Sequence, residues 1–110
     1  MGQFVKGEVV VLPFPFSDLT RSKRRPALVL ATLPGNDLIL CQITSVDRAD
    51  PWAIPLRASD MSNGALEQTS YIRPSRLFTA DSKIIIYRVG QVHSNVLVTV
   101  VKKIVQILEG

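Results

Sequence analysis

Two stretches of the chain, residues 25–32 (RPALVLAT) and residues 37–46 (DLILCQITSV), are separated only by a short segment containing Pro34-Gly35. Neither alternates apolar with polar side chains, as a strand with one wet face does; both carry apolar residues at successive positions. Strands of that kind must be covered on both faces. Joined by a turn, they predict an antiparallel hairpin at the centre of a curled sheet or small barrel. A chain of 110 residues has room for one such core and not for two, so a single domain over residues 1–110 is expected.

The flanking segments extend the sheet. Residues 7–12 (GEVVVL) form a β-branched strand expected to stop at Pro13. Phe14-Pro15-Phe16 is extended, because each proline biases its predecessor away from helix. Residues 17–24 read as an exposed basic loop, and Pro26 is tolerable only at the start of its strand. A short strand is expected at residues 52–56, with Trp52 used in packing. Residues 59–64 read as a loop ending in Asn63-Gly64, followed by short strands at residues 69–73 and 76–79 and a longer one at residues 83–92. After His93 the period changes. Val96, Leu97, Val100, Val101, Ile104 and Leu108 recur at three- and four-residue spacing, which predicts a helix capped by Ser94. The β-branched content leaves a strand over residues 97–101 as the alternative. The expected fold class is mostly β with a C-terminal helix, a small and mostly antiparallel barrel.

Charge and chemistry narrow the function. The net charge of +4 favours acidic partners, nucleic acid or an acidic peptide. No acid falls between Asp18 and Asp37, whereas Arg21, Lys23, Arg24 and Arg25 all do. One histidine, His93, and one cysteine, Cys41, without paired carboxylates or an HExxH pattern, point to no catalytic metal and no cofactor. Cys41 lies among apolar residues and is expected to be a buried, inert thiol. No apolar run approaches the roughly 18 residues of a membrane span. Without a signal-peptide core at the N-terminus, a cytoplasmic protein is expected.

The hairpin supplies a sharper expectation. Counting back from a tight turn at Pro34-Gly35 sets Arg25 opposite Thr44, and a one-residue change in the turn sets it opposite Ser45 instead. Directly opposite residues share a face with Cβ atoms about 5 Å apart. A guanidinium fork beside a hydroxyl suits phosphate oxygens, although arginine–threonine pairs also occur as plain surface decoration.

Several pieces then occur together in order: Gly7-Glu8-Val9-Val10, Arg25-Pro26-Ala27-Leu28-Val29-Leu30, Ile43-Thr44-Ser45, residues 70–77 (SYIRPSRL) and Arg88-Val89-Gly90. With this order and spacing over nearly its whole length, the chain resembles the MazF/PemK family of bacterial toxins. The resemblance implies an SH3-like barrel, a homodimer, and a toxin–antitoxin endoribonuclease that cuts single-stranded RNA without metal. It also implies a cognate antitoxin that blocks the site. The family's catalytic arginine falls on Arg25 and its catalytic hydroxyl on Thr44. In the implied chemistry the RNA 2′-hydroxyl attacks the neighbouring phosphate; no general base is evident, since arginine holds its proton too tightly to be a good one. Arg21, Lys23, Arg24 and Ser45 are expected to contact RNA, with Arg73 and Arg76 adding phosphate contacts. The stretch Phe14-Pro15-Phe16-Ser17-Asp18 is more apolar than its counterpart in many members, which leaves base selection open. Phe14 or Phe16 could stack on a base or serve the core or a dimer. Apolar residues 84–87 and the helix are the expected dimer surface. Three rival readings remain at this point: a CcdB-like toxin that binds a protein target such as gyrase, a passive RNA-binding barrel, and a family member that has lost its activity. The second is disfavoured by an aromatic content of only 6%.

Overall fold

The computed structural model describes residues 3–15, 22–47 and 49–110, with the backbone alone for Pro15 and Ser22. Seven strands run along the described chain: β1 (Glu8–Pro15), β2 (Ser22–Thr32), β3 (Asp37–Thr44), β4 (Ile54–Leu56), β5 (Met61–Gly64), β6 (Ser70–Asp81) and β7 (Tyr87–Val92). A single helix, α1 (Ser94–Glu109), follows. The strands form one antiparallel, curled sheet in the order β4-β6-β3-β2-β1-β7-β5. The predicted hairpin, β2 and β3, lies in its middle.

Both faces of that hairpin are covered, which explains its unbroken apolar pattern. On one face Val9, Leu28, Cys41, Ile43 and Ile72 pack with Val96 and Val100 of α1. On the other, Val10, Leu12, Ala27, Val29, Leu38 and Leu40 form a second cluster. The sheet curls over this second cluster until Phe14 of β1 meets Phe78 of β6 edge to face, ring centres 4.9 Å apart. Burial pushes the Cys41 thiol up to about 12, so it stays protonated and inert, as expected. No helix among the described residues is long and apolar enough to cross a membrane.

Several boundaries depart from expectation for identifiable reasons. β1 continues through Pro13 and Pro15, which face Arg24 and Ser22 of β2. Both prolines share parity with Val11, whose carbonyl accepts from Ile86 N–H on the opposite side. Their missing N–H groups therefore point away from β2, beyond the last residue of β1 that β7 pairs, where nothing in the ladder requires them. Pro26 lies inside β2 rather than at its start, just beyond the last β2–β3 pair, Ala27–Gln42. The two short strands expected at residues 69–73 and 76–79 are one strand, β6. Its register against β3 jumps from Leu77–Cys41 to Arg73–Gln42, so residues 74–76 bulge out of the ladder.

The expected loop at residues 59–64 is a 3-10 turn, Ala58–Asp60, leading into β5. There Gly64 and Gly90 of β7 cross so closely that a Cβ on Gly64 would lie 2.2 Å from the Val89 carbonyl oxygen, and one on Gly90 2.3 Å from that of Asn63. The long strand expected at residues 83–92 opens instead with a 3-10 turn, Ser82–Ile84. The helix forms over the whole predicted stretch, and the alternative strand does not. Its N-cap is His93, in extended conformation, and Ser94 is already helical.

Candidate functional site

Strand pairing decides which side chains share a surface. Arg25 faces Leu12, Gln42 faces both Ala27 and Arg73, and Thr44 faces Tyr71. Opposite residues in an antiparallel pair lie on one face. Arg25, Gln42, Thr44, Tyr71 and Arg73 therefore continue the same concave surface that carries the second apolar cluster. Next to the turn, Thr32 faces Leu38 and Ala31 faces Ile39, a register that on its own would bring Arg25 to Ser45. A bulge at Leu30 shifts it, so that Val29 faces Leu40 and Ala27 faces Gln42. Hydrogen-bonded pairing stops there. Continued by two residues, this register sets Arg25 opposite Thr44, so the bulge chooses between the two registers that the sequence left open.

Thr44 is 2% exposed, not at an open edge as expected, because β6 pairs along its far side. Its hydroxyl accepts from Val46 N–H at 3.2 Å and keeps its own hydrogen to donate. Ser45 lies just past the end of β3 and is exposed. Arg25 is half-buried, with its Nε enclosed by protein.

Arg73 differs from its expected role as a surface phosphate ligand. Its Nε is 3.0 Å from Asp50 Oδ2, and both side chains are largely buried. The Asp50 carboxylate also accepts from Trp52 N–H at 2.9 Å. That backbone bond, and then Arg73, holds the carboxyl below its usual value against the opposing effect of burial. Arg73 is thus committed to an internal ion pair. Arg76 stands on the β6 bulge, exposed, with Nε 3.5 Å from Gln42 Oε1.

The basic cluster is not a single loop patch. Arg21, like Phe16, lies outside the described residues. Lys23 and Arg24 are exposed but belong to β2, facing Phe14 and Pro13. Successive residues of a strand point to opposite faces, so Lys23 shares the side of Arg25 while Arg24 takes the other. Each side has a groove. On the Arg25 side one of about 520 Å³ is lined by Leu12, Phe14, Gln42, Arg76, Phe78 and Ile84. On the Arg24 side one of about 490 Å³ is lined by Arg24, Pro26, Glu67, Tyr87 and Arg88. A larger cavity of about 830 Å³ lies at the far end of the hairpin, beside Leu33, Asn36 and Asp37, away from Arg25 and Thr44.

Phe14 serves the second core and rims the first groove at once. The residues missed by sequence reasoning are Gln42, Asp50 and Tyr71. Gln42 carries a signal, a lone amide inside an apolar strand, whereas Asp50 and Tyr71 are recruited by pairings with β6 that local sequence does not reveal. Among the described residues, no three His, Cys, Asp or Glu side chains converge as they would around a metal ion.

Residues 5–108 match the family described as PemK-like, MazF-like toxin of type II toxin-antitoxin system. No curated protein sequence matches the chain. Among solved structures it is similar to MazF in a MazE–MazF complex from Deinococcus radiodurans, with TM-score 0.79 and 21% identity, covering 99% of this chain and 98% of that one. It is similar also to an endoribonuclease from a mycobacterial species in complex with its cognate antitoxin, with TM-score 0.77, 14% identity, and 97% and 96% of the two chains covered. A third likeness is a MazF toxin from Mycobacterium tuberculosis, with TM-score 0.72, 15% identity, and 93% and 96% covered. At these identities the likeness is one of fold: a curled antiparallel sheet with a C-terminal helix.

Proposed function

The chain belongs to the PemK-like, MazF-like family of type II toxin–antitoxin toxins, and on that premise we propose that it is the endoribonuclease component, cutting single-stranded RNA without metal or cofactor. The observation that carries this reading is the shared surface of Arg25 and Thr44. The paired part of β2 and β3 ends at Ala27–Gln42, and its register extended by two residues would set Arg25 opposite Thr44, on the face whose groove Gln42 lines.

In the proposed reaction the RNA 2′-oxygen attacks the adjacent phosphorus as its proton passes to solvent water. The bond from phosphorus to the 5′-oxygen breaks, and that oxygen takes a proton back from water, leaving a 2′,3′-cyclic phosphate and a 5′-hydroxyl. Negative charge grows on the non-bridging oxygens. Arg25 is assigned to that charge as a fixed fork of donors, and Thr44 to a supporting hydrogen bond, its orientation held by Val46 N–H. Donors mounted on paired strands need no reorganisation as the charge develops. Lys23 and Ser45 are assigned to the RNA backbone near them, and Arg76 to the groove wall.

A cognate antitoxin is part of the same proposal. The Deinococcus radiodurans MazF was solved with MazE and the mycobacterial endoribonuclease with its antitoxin. An acidic antitoxin segment lying over Lys23 and Arg25 would meet the field that attracts RNA. A homodimer is proposed as well. Val98, Val101, Val105 and Leu108 recur at three- and four-residue spacing along α1 and are exposed, Leu108 by 74%. Light scattering at micromolar concentration should give twice the chain mass. A cytoplasmic location suits such a toxin.

The reading is tested by incubating purified protein with mixed-sequence RNA in EDTA and mapping the fragment ends. Cleavage with 5′-hydroxyl ends is expected. Intact RNA would favour a CcdB-like toxin acting on a protein target, and cleavage that stops in EDTA and returns with Mg²⁺ would overturn the metal-independent mechanism.

A further inference from the structure

Gln42 interrupts the apolar run of β3 with an amide that neither core requires. It is half-buried on the surface of Arg25 and Thr44, between Ala27 and Arg73. Arg76 reaches it from the β6 bulge, Nε 3.5 Å from Oε1. Arginine has donors only, so this contact favours the amide oxygen toward Arg76 and leaves the NH₂ for another partner. Gln42 lines the groove of about 520 Å³ together with the apolar side chains of Leu12, Phe14 and Phe78. A flat heterocycle with a polar edge suits this shape: carbon surface for its faces, one oriented donor for its rim. Gln42 lies diagonally across from Arg25 on the same face, a Cβ separation of roughly 7–8 Å. That span is comparable with one nucleotide.

We propose that this groove takes the nucleobase flanking the scissile phosphate, and that Gln42 selects a base with a keto oxygen at the pyrimidine 4-position or purine 6-position, uracil or guanine. At that position cytosine and adenine would present an amino donor to the Gln42 NH₂, leaving two donors opposed. Arg76 is a positioning residue here, acting through the Gln42 amide. The inference rests on the ribonuclease reading for its substrate but concerns a different residue and a different observable.

The test is sequencing of cut sites in random RNA for the parent, Gln42→Ala, Gln42→Glu and Arg76→Ala. The parent should favour uracil or guanine at one flanking position by roughly fivefold to tenfold, as one hydrogen bond provides. Gln42→Ala should lose that preference, and Gln42→Glu, which only accepts, should turn it toward cytosine or adenine. Arg76→Ala should narrow it, because the amide can then rotate. An identical base profile in all four proteins overturns the proposal. If the parent cuts no RNA, the ribonuclease reading falls and the groove is read by binding alone. Anisotropy with short 2′-O-methyl oligonucleotides, which cannot be cleaved by this route, should then show the same base ratio and its collapse in Gln42→Ala. Equal binding of all four bases would dispose of the inference.

Discussion

The two halves of the concave surface are made from the same strands and differ within two residues. In one half Val10, Leu12, Ala27, Val29, Leu38 and Leu40 are packed together. In the other, Arg25 replaces the apolar pattern two residues before Ala27, and Gln42 and Thr44 replace it after Leu40. The changeover falls beside two irregularities, the Leu30 bulge and the bulge at residues 74–76. The packed half lends its rigidity to the polar half, so Arg25 and Thr44 are held by register and not by a loop. Chemistry and stability should therefore separate cleanly along one sheet face.

The largest effect should come from the polar half. Arg25→Ala is expected to lower cleavage by about 10²-fold to 10³-fold, the usual loss for one donor to a developing oxyanion. Because Arg25 is half-buried with an enclosed Nε, some stability will go with it, and rates should be compared at matched folded fraction. Lysine at the same position should rescue partly, since a point charge lacks the two-pronged geometry. Thr44→Ala should cost less than Arg25→Ala, and Thr44→Ser less again. An Arg25→Ala protein that is folded and as fast as the parent would end the assignment.

The packed half should give the reverse result. Leu40 is fully buried, and Leu40→Ala should lower unfolding free energy by about 3 kcal/mol, from lost transfer energy plus the cavity left behind. Cleavage per folded molecule should change little. Urea midpoints and initial rates measured on both variants decide the matter: if Leu40→Ala loses rate as steeply as Arg25→Ala, the two halves are not separable.

This division also marks what the sequence could reveal. Apolar runs at residues 25–32 and 37–46 foretold a hairpin covered on both faces, because burial leaves a direct compositional trace. The three- and four-residue spacing after His93 foretold α1 in the same way, despite its valines. The register beside the candidate site was legible only to within one residue. The Leu30 bulge that favours Thr44 over Ser45 has no local signature, since a leucine between Val29 and Ala31 reads as ordinary strand. The basic cluster departs from expectation for a related reason. Residues 22–24 read as loop because they are polar, whereas Phe14 and the two prolines of β1 give them a partner strand. Arg73 reads as a surface ligand because its partner, Asp50, is 23 residues away in sequence.

A smaller effect is expected where the polar half is tied to its support. Asp50→Asn removes a charge partner from the largely buried Arg73 and should cost about 2 kcal/mol. The folded-state pKa of Asp50 is lowered, so the contribution of the pair is fully present above the ordinary carboxylate value of 3.8. It is lost as pH falls through the lower, folded value. Acid unfolding curves of parent and variant should therefore converge below about pH 4 and stay parallel above pH 5. Curves that remain parallel throughout would show that the ion pair adds nothing to the fold.

The smallest predicted effect separates neighbouring cations. Lys23 and Arg24 are adjacent in sequence, equally exposed and of like charge, so composition gives no reason to distinguish them. Strand alternation does, with Lys23 on the Arg25 side and Arg24 facing the groove of Tyr87 and Arg88. For single-stranded nucleic acid each phosphate contact contributes roughly −0.7 to the slope of log affinity against log salt. Lys23→Ala should therefore flatten that slope by about 0.7 for a short oligonucleotide that reaches only the Arg25 side, and Arg24→Ala should leave it almost unchanged. With longer RNA the two variants should converge, because a chain that leaves the first groove can follow the surface round to the second. Equal slopes for both variants on the short oligonucleotide would mean that the two cations act as one diffuse field, and that the faces of β2 do not divide the RNA between them.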